Sequence, residues 1–498
     1  MVAPFALLAV LLAAPDEWSE FRALARDRDP DRRCEAVAKI RPLADLAMVQ
    51  ALLPLMADPH PRVRKRAAEA VARATAPDCV DFLHKAGLRN SLKVVRVLAA
   101  GCLGIIRDPS SVGPLAASLG DVDPEVRAAA CAALALFESR ESVGKIVAIA
   151  ERDSAWIAKA AALEALVALD RDSATRLATP AVADHAWQVR LTAARIAPSV
   201  DPETGLAVYL AAIADGDWRV RVQAIESACL LRVRATIGPM IDLLGKERGR
   251  LRWDLYLALR DLTGKELGLD APNWKRWWDV NRDTFEVPPR PAAGAAVERP
   301  NGETGVQFFT LPILSTRMSF VLDLSGSMRD PAPPAPGRPA ESKLDLAKRE
   351  MGKTIAQLPE AVWFNLLFLG CDQEGRYAKE RMAWKRTLQP ATARGRAEAA
   401  AFLNRQEGHG WTNIWDGIEL AFEDDAVDTI YLYTDGGCSR GVFVATDDIF
   451  DELGKLNRFR KIMIHTVEVA GEKKNTADNI KLLKGIAEET KGMYRLAK

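Results

Sequence analysis

The pattern of small, apolar and polar positions changes character once along the 498 residues. Up to about residue 264 the apolar residues recur at helical spacing, and one basic position returns at a fixed interval. It falls at Arg33, Arg64, Arg96, Arg127, Lys159, Arg190, Arg221 and Arg252, which are 31 or 32 residues apart. A period so regular predicts a solenoid, each unit being long enough for two short helices and their turns. Six residues before the basic position stands Asp27, Asp58, Asp121, Asp153, Asp184 or Asp215, with Asn90 in the third unit and Lys246 in the last. The residues that follow it are small, as in the run from Arg127 to Leu134, and let helices approach closely. Pro30, Pro61 and Pro124 precede the basic residue by three, where proline suits a first helical turn, and Asp29 and Asp123 are candidate caps.

From about residue 306 the pattern becomes apolar runs alternating with amphipathic stretches. It predicts strands over 318–324, 362–369, 429–434, 461–469 and 493–496, and helices over 343–358, 391–404, 413–422, 447–456 and 477–491. Strands that are apolar throughout, alternating with helices, imply a doubly wound α/β domain with a mostly parallel sheet covered on both faces. Prolines at 331, 333, 334, 336 and 339 make 329–342 an exposed flap rather than helix or central strand. Between the two halves, 265–286 carries Trp274, Trp277 and Trp278 and reads as a terminal cap over the last apolar face of the solenoid. Residues 287–305, rich in Pro, Ala and Gly, read as a linker.

The candidate chemistry lies in three loops of the second half. Asp323, Ser325 and Ser327 stand at alternate positions directly after the first strand. Thr412 follows Gly408-His409-Gly410-Trp411, and Asp435 ends the strand at 429–434. Loops at the carboxyl ends of parallel strands converge on one edge of the sheet. Two carboxylates and three hydroxyls there suit a hard cation, Mg²⁺ or Mn²⁺, better than a thiolate-seeking metal.

These three loops, in this order, resemble a von Willebrand factor type A (VWA) domain with its metal-ion-dependent adhesion site, over roughly 306–498. The resemblance assigns Asp323, Ser325, Ser327, Thr412 and Asp435 as metal ligands, and implies that an Asp or Glu of a protein partner completes the coordination. Trp411 departs from the pattern, since the family commonly has a small residue there, and narrower access to the metal is expected. The array over 17–264 resembles HEAT repeats of the short type also found in bilin lyases. That implies a ladder in which each aspartate bonds to the basic residues of its own and a neighbouring repeat.

In the fifth to seventh units the proline position is taken by Trp156, Trp187 and Trp218. Stacked units would align these indoles, so they and Trp411 are candidate partner-binding residues; packing over the neighbouring turn is the alternative. The 68 basic and 67 acidic residues leave a net charge of +1, which argues against nucleic acid as partner. Seven scattered cysteines and five scattered histidines offer no zinc spacing. No catalytic triad or phosphate loop appears, and no transmembrane segment is expected. The apolar run ending at residue 14 has the length of a signal peptide and points to export, with the first helix of the array, and a cytoplasmic protein, as the alternative. The sequence thus describes a non-enzymatic, cation-dependent protein-binding scaffold. An enzyme or enzyme subunit, lyase-like or a metal-assisted hydrolase, is the alternative.

Overall fold

In the computed structural model, which describes residues 16–289, 305–334, 339–372, 382–470 and 477–497, the N-terminal region is a helical repeat and the C-terminal region is built on a mostly parallel sheet. The expected leader at 1–14 and most of the expected linker at 287–305 lie outside the described residues. The chain divides into two compact units, Met1–Val220 and Arg221–Lys498.

In the first unit the prolines set helix starts. Pro30 and Pro124 open helices Pro30–Ile40 and Pro124–Leu136, and the Asp29 and Asp123 carboxylates accept the N–H groups of Asp31 and Glu125. Such a cap contributes about 1 kcal/mol. Trp156, Trp187 and Trp218 take the same first position in helices Trp156–Leu169, Trp187–Ile196 and Trp218–Leu231. The expected close approach of helices is visible in the fully buried Ala67, Ala70, Ala99, Ala100 and Ala130.

The charged ladder is directional. Arg33, Arg96, Arg127 and Arg190 each donate two N–H groups to a carboxylate of the next repeat, on Asp58, Asp121, Asp153 and Asp215, at 2.7–2.9 Å. Lys159 reaches Asp184 at 2.7 Å. Within its own repeat the arginine donates to two backbone carbonyls, that of Asp27, Asn90, Asp121 or Asp184 and that of the residue after it. Asp58, Asp121 and Asp184 therefore each bond to both repeats, as the family resemblance implied, with the carboxylate on the basic residue of the preceding repeat and the carbonyl on the arginine of its own. The carboxylate also accepts the N–H two residues on, Asp58 from His60 and Asp153 from Ala155, which turns the chain into the next helix. Burial alone would raise the carboxyl groups of Asp121, Asp153 and Asp184. The hydrogen bonds from Arg96, Arg127 and Lys159 and from the backbone outweigh it and hold all three below their ordinary value.

The second unit contains helices Ile237–Leu244, Arg250–Thr263 and Ala271–Asn281 followed by the α/β domain. Trp274 is fully buried and donates to the Gly268 carbonyl at 2.7 Å. The domain opens with a small hairpin, β1 Gln307–Phe308 and β2 Leu311–Pro312. Strands β3 Arg317–Asp323, β4 Trp363–Leu369, β5 Gln389–Pro390, β6 Thr429–Thr434, β7 Met463–Val469 and β8 Tyr494–Ala497 then form one sheet. Its order is β5-β4-β3-β6-β7-β8, parallel except for the edge strand β5. The helices are α1 Lys343–Gln357, α2 Ala393–Asn404, α3 Ile414–Phe422, α4 Thr446–Arg460 and α5 Ala477–Glu489. Alternation along the strands separates the two faces. Val321, Leu367, Leu369, Ile430, Leu432 and Ile464 join Ile418, Ile449 and Leu483 in one core. On the other face Phe308, Phe320, Tyr431 and Tyr433 form an aromatic cluster with ring centroids 5.4–6.4 Å apart.

Helix Arg250–Thr263 docks on the amino edge of this sheet. Arg250 is 4% exposed and donates to the carbonyl of Asp428 at 2.6 Å and to that of Lys461, the residues leading into β6 and β7. Gly249, at φ +65°, precedes it, and a Cβ there would lie 3.0 Å from the Thr316 nitrogen, so only glycine fits. Beside them Glu226 accepts from Lys461 at 2.8 Å and from Lys491 at 2.6 Å. The carboxyl edge of the sheet, where ligands bind in such folds, is left to the loops.

Candidate metal centre

The carboxyl edge has its switch point between β3 and β6, since the chain leaves β3 for β4 on one side and returns to β6 on the other. Adjacent strand ends therefore deliver Asp323 and Asp435 to one place. Asp323 is the last residue of β3 and is fully buried. Its Oδ1 accepts the Ser325 N–H at 2.7 Å and its Oδ2 the Thr434 hydroxyl at 2.5 Å. The chain then makes a single turn at Gly326–Arg329, which sets the Ser325 and Ser327 hydroxyls 3.1 Å apart. Ser327 donates to Asp435 Oδ1 at 2.9 Å.

The loop before α3 is bonded to both of the others. Gly326 donates to the Gly410 carbonyl at 3.0 Å and His409 to that of Leu324 at 2.6 Å. Ser439 and Arg440 donate to the Thr412 carbonyl at 3.0 and 3.1 Å. Gly410 is at φ +64°, and a Cβ there would fall 1.6 Å from the Cys371 carbonyl oxygen, so the close pairing of residues 371 and 411 demands glycine. Thr412 is 7% exposed, and its hydroxyl makes no hydrogen bond among the described residues. Trp411 is 44% exposed, with the Arg440 guanidinium 5.2 Å from its ring centre, and stands on the rim. His409 is nearby, its Nδ1 against the Glu407 carbonyl at 2.9 Å, and takes no part in the polar cluster.

All five expected ligands thus lie on loops that are hydrogen-bonded together, and Asp323, Ser325, Ser327 and Asp435 form one continuous polar chain. Burial, and then the charge of Asp435, push the Asp323 carboxyl up to about 7 against the hydrogen bonds that favour its charged form. A buried pair of carboxylates that disfavours its own charge is suited to a cation. The residues fit a hard divalent ion: two carboxylates and three hydroxyls, that of Thr412 otherwise unengaged, with no sulfur or imidazole donor in the set. No group of three or more His, Cys, Asp and Glu capable of holding a metal occurs among the described residues, so any site here depends on the hydroxyls.

One member of the centre was missed from sequence. Lys343, the first residue of α1, donates its ammonium to Asp435 Oδ2 at 2.6 Å, with both side chains 4–5% exposed. The signal was a basic residue at a helix N-terminus, where the dipole disfavours it, behind Ser342, which caps the helix together with Asp345. The flap is pinned at its base by the Ala332 N–H on the Glu341 carbonyl and the Lys343 N–H on that of Asp330, while 335–338 lie outside the described residues.

The tryptophans of the first unit are half-buried rather than an open row. The face of Trp187 is covered by the Arg219 guanidinium, 3.6 Å from the ring centre. No helix among the described residues is long and apolar enough to cross a membrane.

Comparison with known proteins gives one family match and several similar proteins. A family model of HEAT repeats matches residues 80–167. Inter-alpha-trypsin inhibitor heavy chain H3 of Homo sapiens is 29% identical over 116 residues, which cover 23% of this chain and 11% of that protein. The chain therefore spans about a tenth of the length of the curated relative it matches. Among solved structures, the complex of CpcE and CpcF of phycocyanin lyase from Nostoc sp. PCC7120 is 17% identical with a TM-score of 0.29, covering 42% of this chain and 93% of that one. A von Willebrand factor type A protein from Catenulispora acidiphila is 18% identical with a TM-score of 0.28, covering 36% and 38%. The repeat match supports a role in protein interaction.

Proposed function

We propose that this protein is a non-enzymatic, exported scaffold. Its repeat array offers an extended binding surface, and its α/β domain holds Mg²⁺ or Mn²⁺ at Asp323, Ser325, Ser327, Thr412 and Asp435 to engage an Asp or Glu of a protein partner. The observation that carries the reading is the convergence of three loops at the β3/β6 switch point into one hydrogen-bonded set of hard oxygen donors. A divalent ion bound there supplies an electrophilic position for a carboxylate oxygen. The chain's own contribution is to orient. The Ser325 N–H and the Thr434 hydroxyl fix both oxygens of Asp323, the Ser327 hydroxyl fixes one oxygen of Asp435, and Gly410 locks the threonine loop against residue 371. Trp411 and Arg440 border the entrance and would meet the partner first.

Calorimetric titration of Mg²⁺ and Mn²⁺ into the full chain and into Asp323→Ala tests this. A single site in the first and none in the second, with unchanged far-ultraviolet circular dichroism, is the expected result. Equal metal binding by the two proteins would overturn the assignment.

A further inference from the structure

Two carboxylates and one divalent ion would leave the centre neutral, but Lys343 changes the count. Its ammonium is nearly as buried as the Asp435 carboxylate that it touches. Asp435 is engaged at both oxygens, by Ser327 and by Lys343. The lysine is also held by its backbone: its N–H donates to the Asp330 carbonyl at 3.0 Å and its carbonyl accepts the Tyr433 hydroxyl at 3.2 Å. That places the start of α1 against both the flap and β6. The arrangement is maintained although a basic residue opposes the dipole at this end of the helix. Among the described residues the ammonium also lies beside Asp330, 3.9 Å away and 67% exposed at the base of the flap.

We propose that Lys343 is a resident cation of the metal centre and sets what the centre accepts, an inference that rests on the metal-dependent reading above. With Asp323 and Asp435 both ionised to hold a metal, Lys343 leaves the donor set at one negative charge. A divalent ion then brings the cluster to one positive charge in a place where solvent screens poorly. Two consequences follow. The metal alone binds weakly, because the ammonium repels it and competes for Asp435. The filled centre is short of one negative charge, which a single carboxylate supplies and which a site without the lysine would not demand. Metal and carboxylate therefore bind as a pair, each raising the affinity for the other by the same factor. As the metal enters, the ammonium moves from Asp435 toward Asp330, so that occupancy of the centre is felt at the base of the flap.

The test is titration of MnCl₂ into the full-length protein in sodium acetate and in sodium chloride of equal ionic strength, for wild type, Lys343→Met, Lys343→Gln and Lys343→Arg. Wild type is expected to bind Mn²⁺ more tightly in acetate than in chloride. The two neutral variants should bind Mn²⁺ about tenfold or more tightly than wild type in chloride, from the loss of one like charge within a few ångströms. Their dependence on acetate should fall toward none, and Lys343→Arg should retain it. Two neutral side chains guard against one that misfolds, and thermal melting reports folding of each. Neutral variants that fold and bind Mn²⁺ no better than wild type, or that keep the full acetate dependence, would overturn the role of Lys343 while leaving the metal centre in place. Absence of Mn²⁺ binding by every variant in both salts would overturn the metal reading and this inference with it.

Discussion

Arg127 offers the sharpest test of what holds the repeat array together. Its guanidinium makes two bonds of 2.7 Å to Asp153 and one of 2.8 Å to the Asp121 carbonyl, and the two side chains are 15% and 7% exposed. Arg127→Met keeps most of the stem's packing and removes the charge. The Asp153 carboxylate would then be buried with the Ala155 N–H as its nearest donor. Breaking a buried pair in this way costs about 3 kcal/mol. For a unit of this size that lowers the melting temperature by about 6–12 °C. The loss should also depend on pH. Asp153 lies below its ordinary value of 3.8 in the folded protein, so the pair contributes fully above that value and its contribution is lost as pH falls through the folded pKa. In the variant, Asp153 escapes by taking a proton, so the gap between variant and wild type narrows in acid. Urea titration of the full chain, followed by circular dichroism at pH 7 and pH 3, measures both effects. A destabilisation below about 1 kcal/mol at pH 7 would place the pair in the class of surface ion pairs and refute the argument. A gap that does not shrink at pH 3 would refute the charge-based part of it.

Two further changes probe the second unit. Glu226 is held down to about 2 because its pairing with Lys461 and Lys491 outweighs the cost of burial. Since Lys491 is 57% exposed, Glu226→Gln should cost about 2 kcal/mol near neutral pH. Its contribution is complete above the ordinary value of 4.5 and fades toward pH 2, so melting curves of variant and wild type that differ equally at pH 7 and pH 2 would speak against it. Gly410→Ala should lose about 1–3 kcal/mol from the left-handed backbone alone and more from the clash with residue 371. Mn²⁺ binding should weaken with it, and an alanine variant that binds Mn²⁺ normally would show that the threonine loop is not part of the centre.

Much of the fold was legible in the residues because its signals are local. The strand at 429–434 coincides with expectation to the residue, since an apolar run lies between Asp428 and Asp435. The helix starts at Pro30 and Pro124 follow from the fixed backbone angle of proline and a neighbouring cap. The hairpin at 307–312 and the edge strand at 389–390 were not foreseen. Two-residue strands carry no periodicity and exist because a neighbour offers them hydrogen bonds.

The sequence by itself determined the repeat period, the order of strands and helices, and the types of oxygen donor that the three loops present. These depend on spacing along the chain and on side-chain chemistry, and both are written in the residues. Only the tertiary structure decided the direction of the charged ladder, the half-burial of the tryptophans and the place of Lys343. Each depends on which groups meet across 25 to 92 residues of intervening chain. The last of them changes the charge of the centre, because a lysine at the head of a helix becomes, once β6 lies beside it, the counter-ion of Asp435.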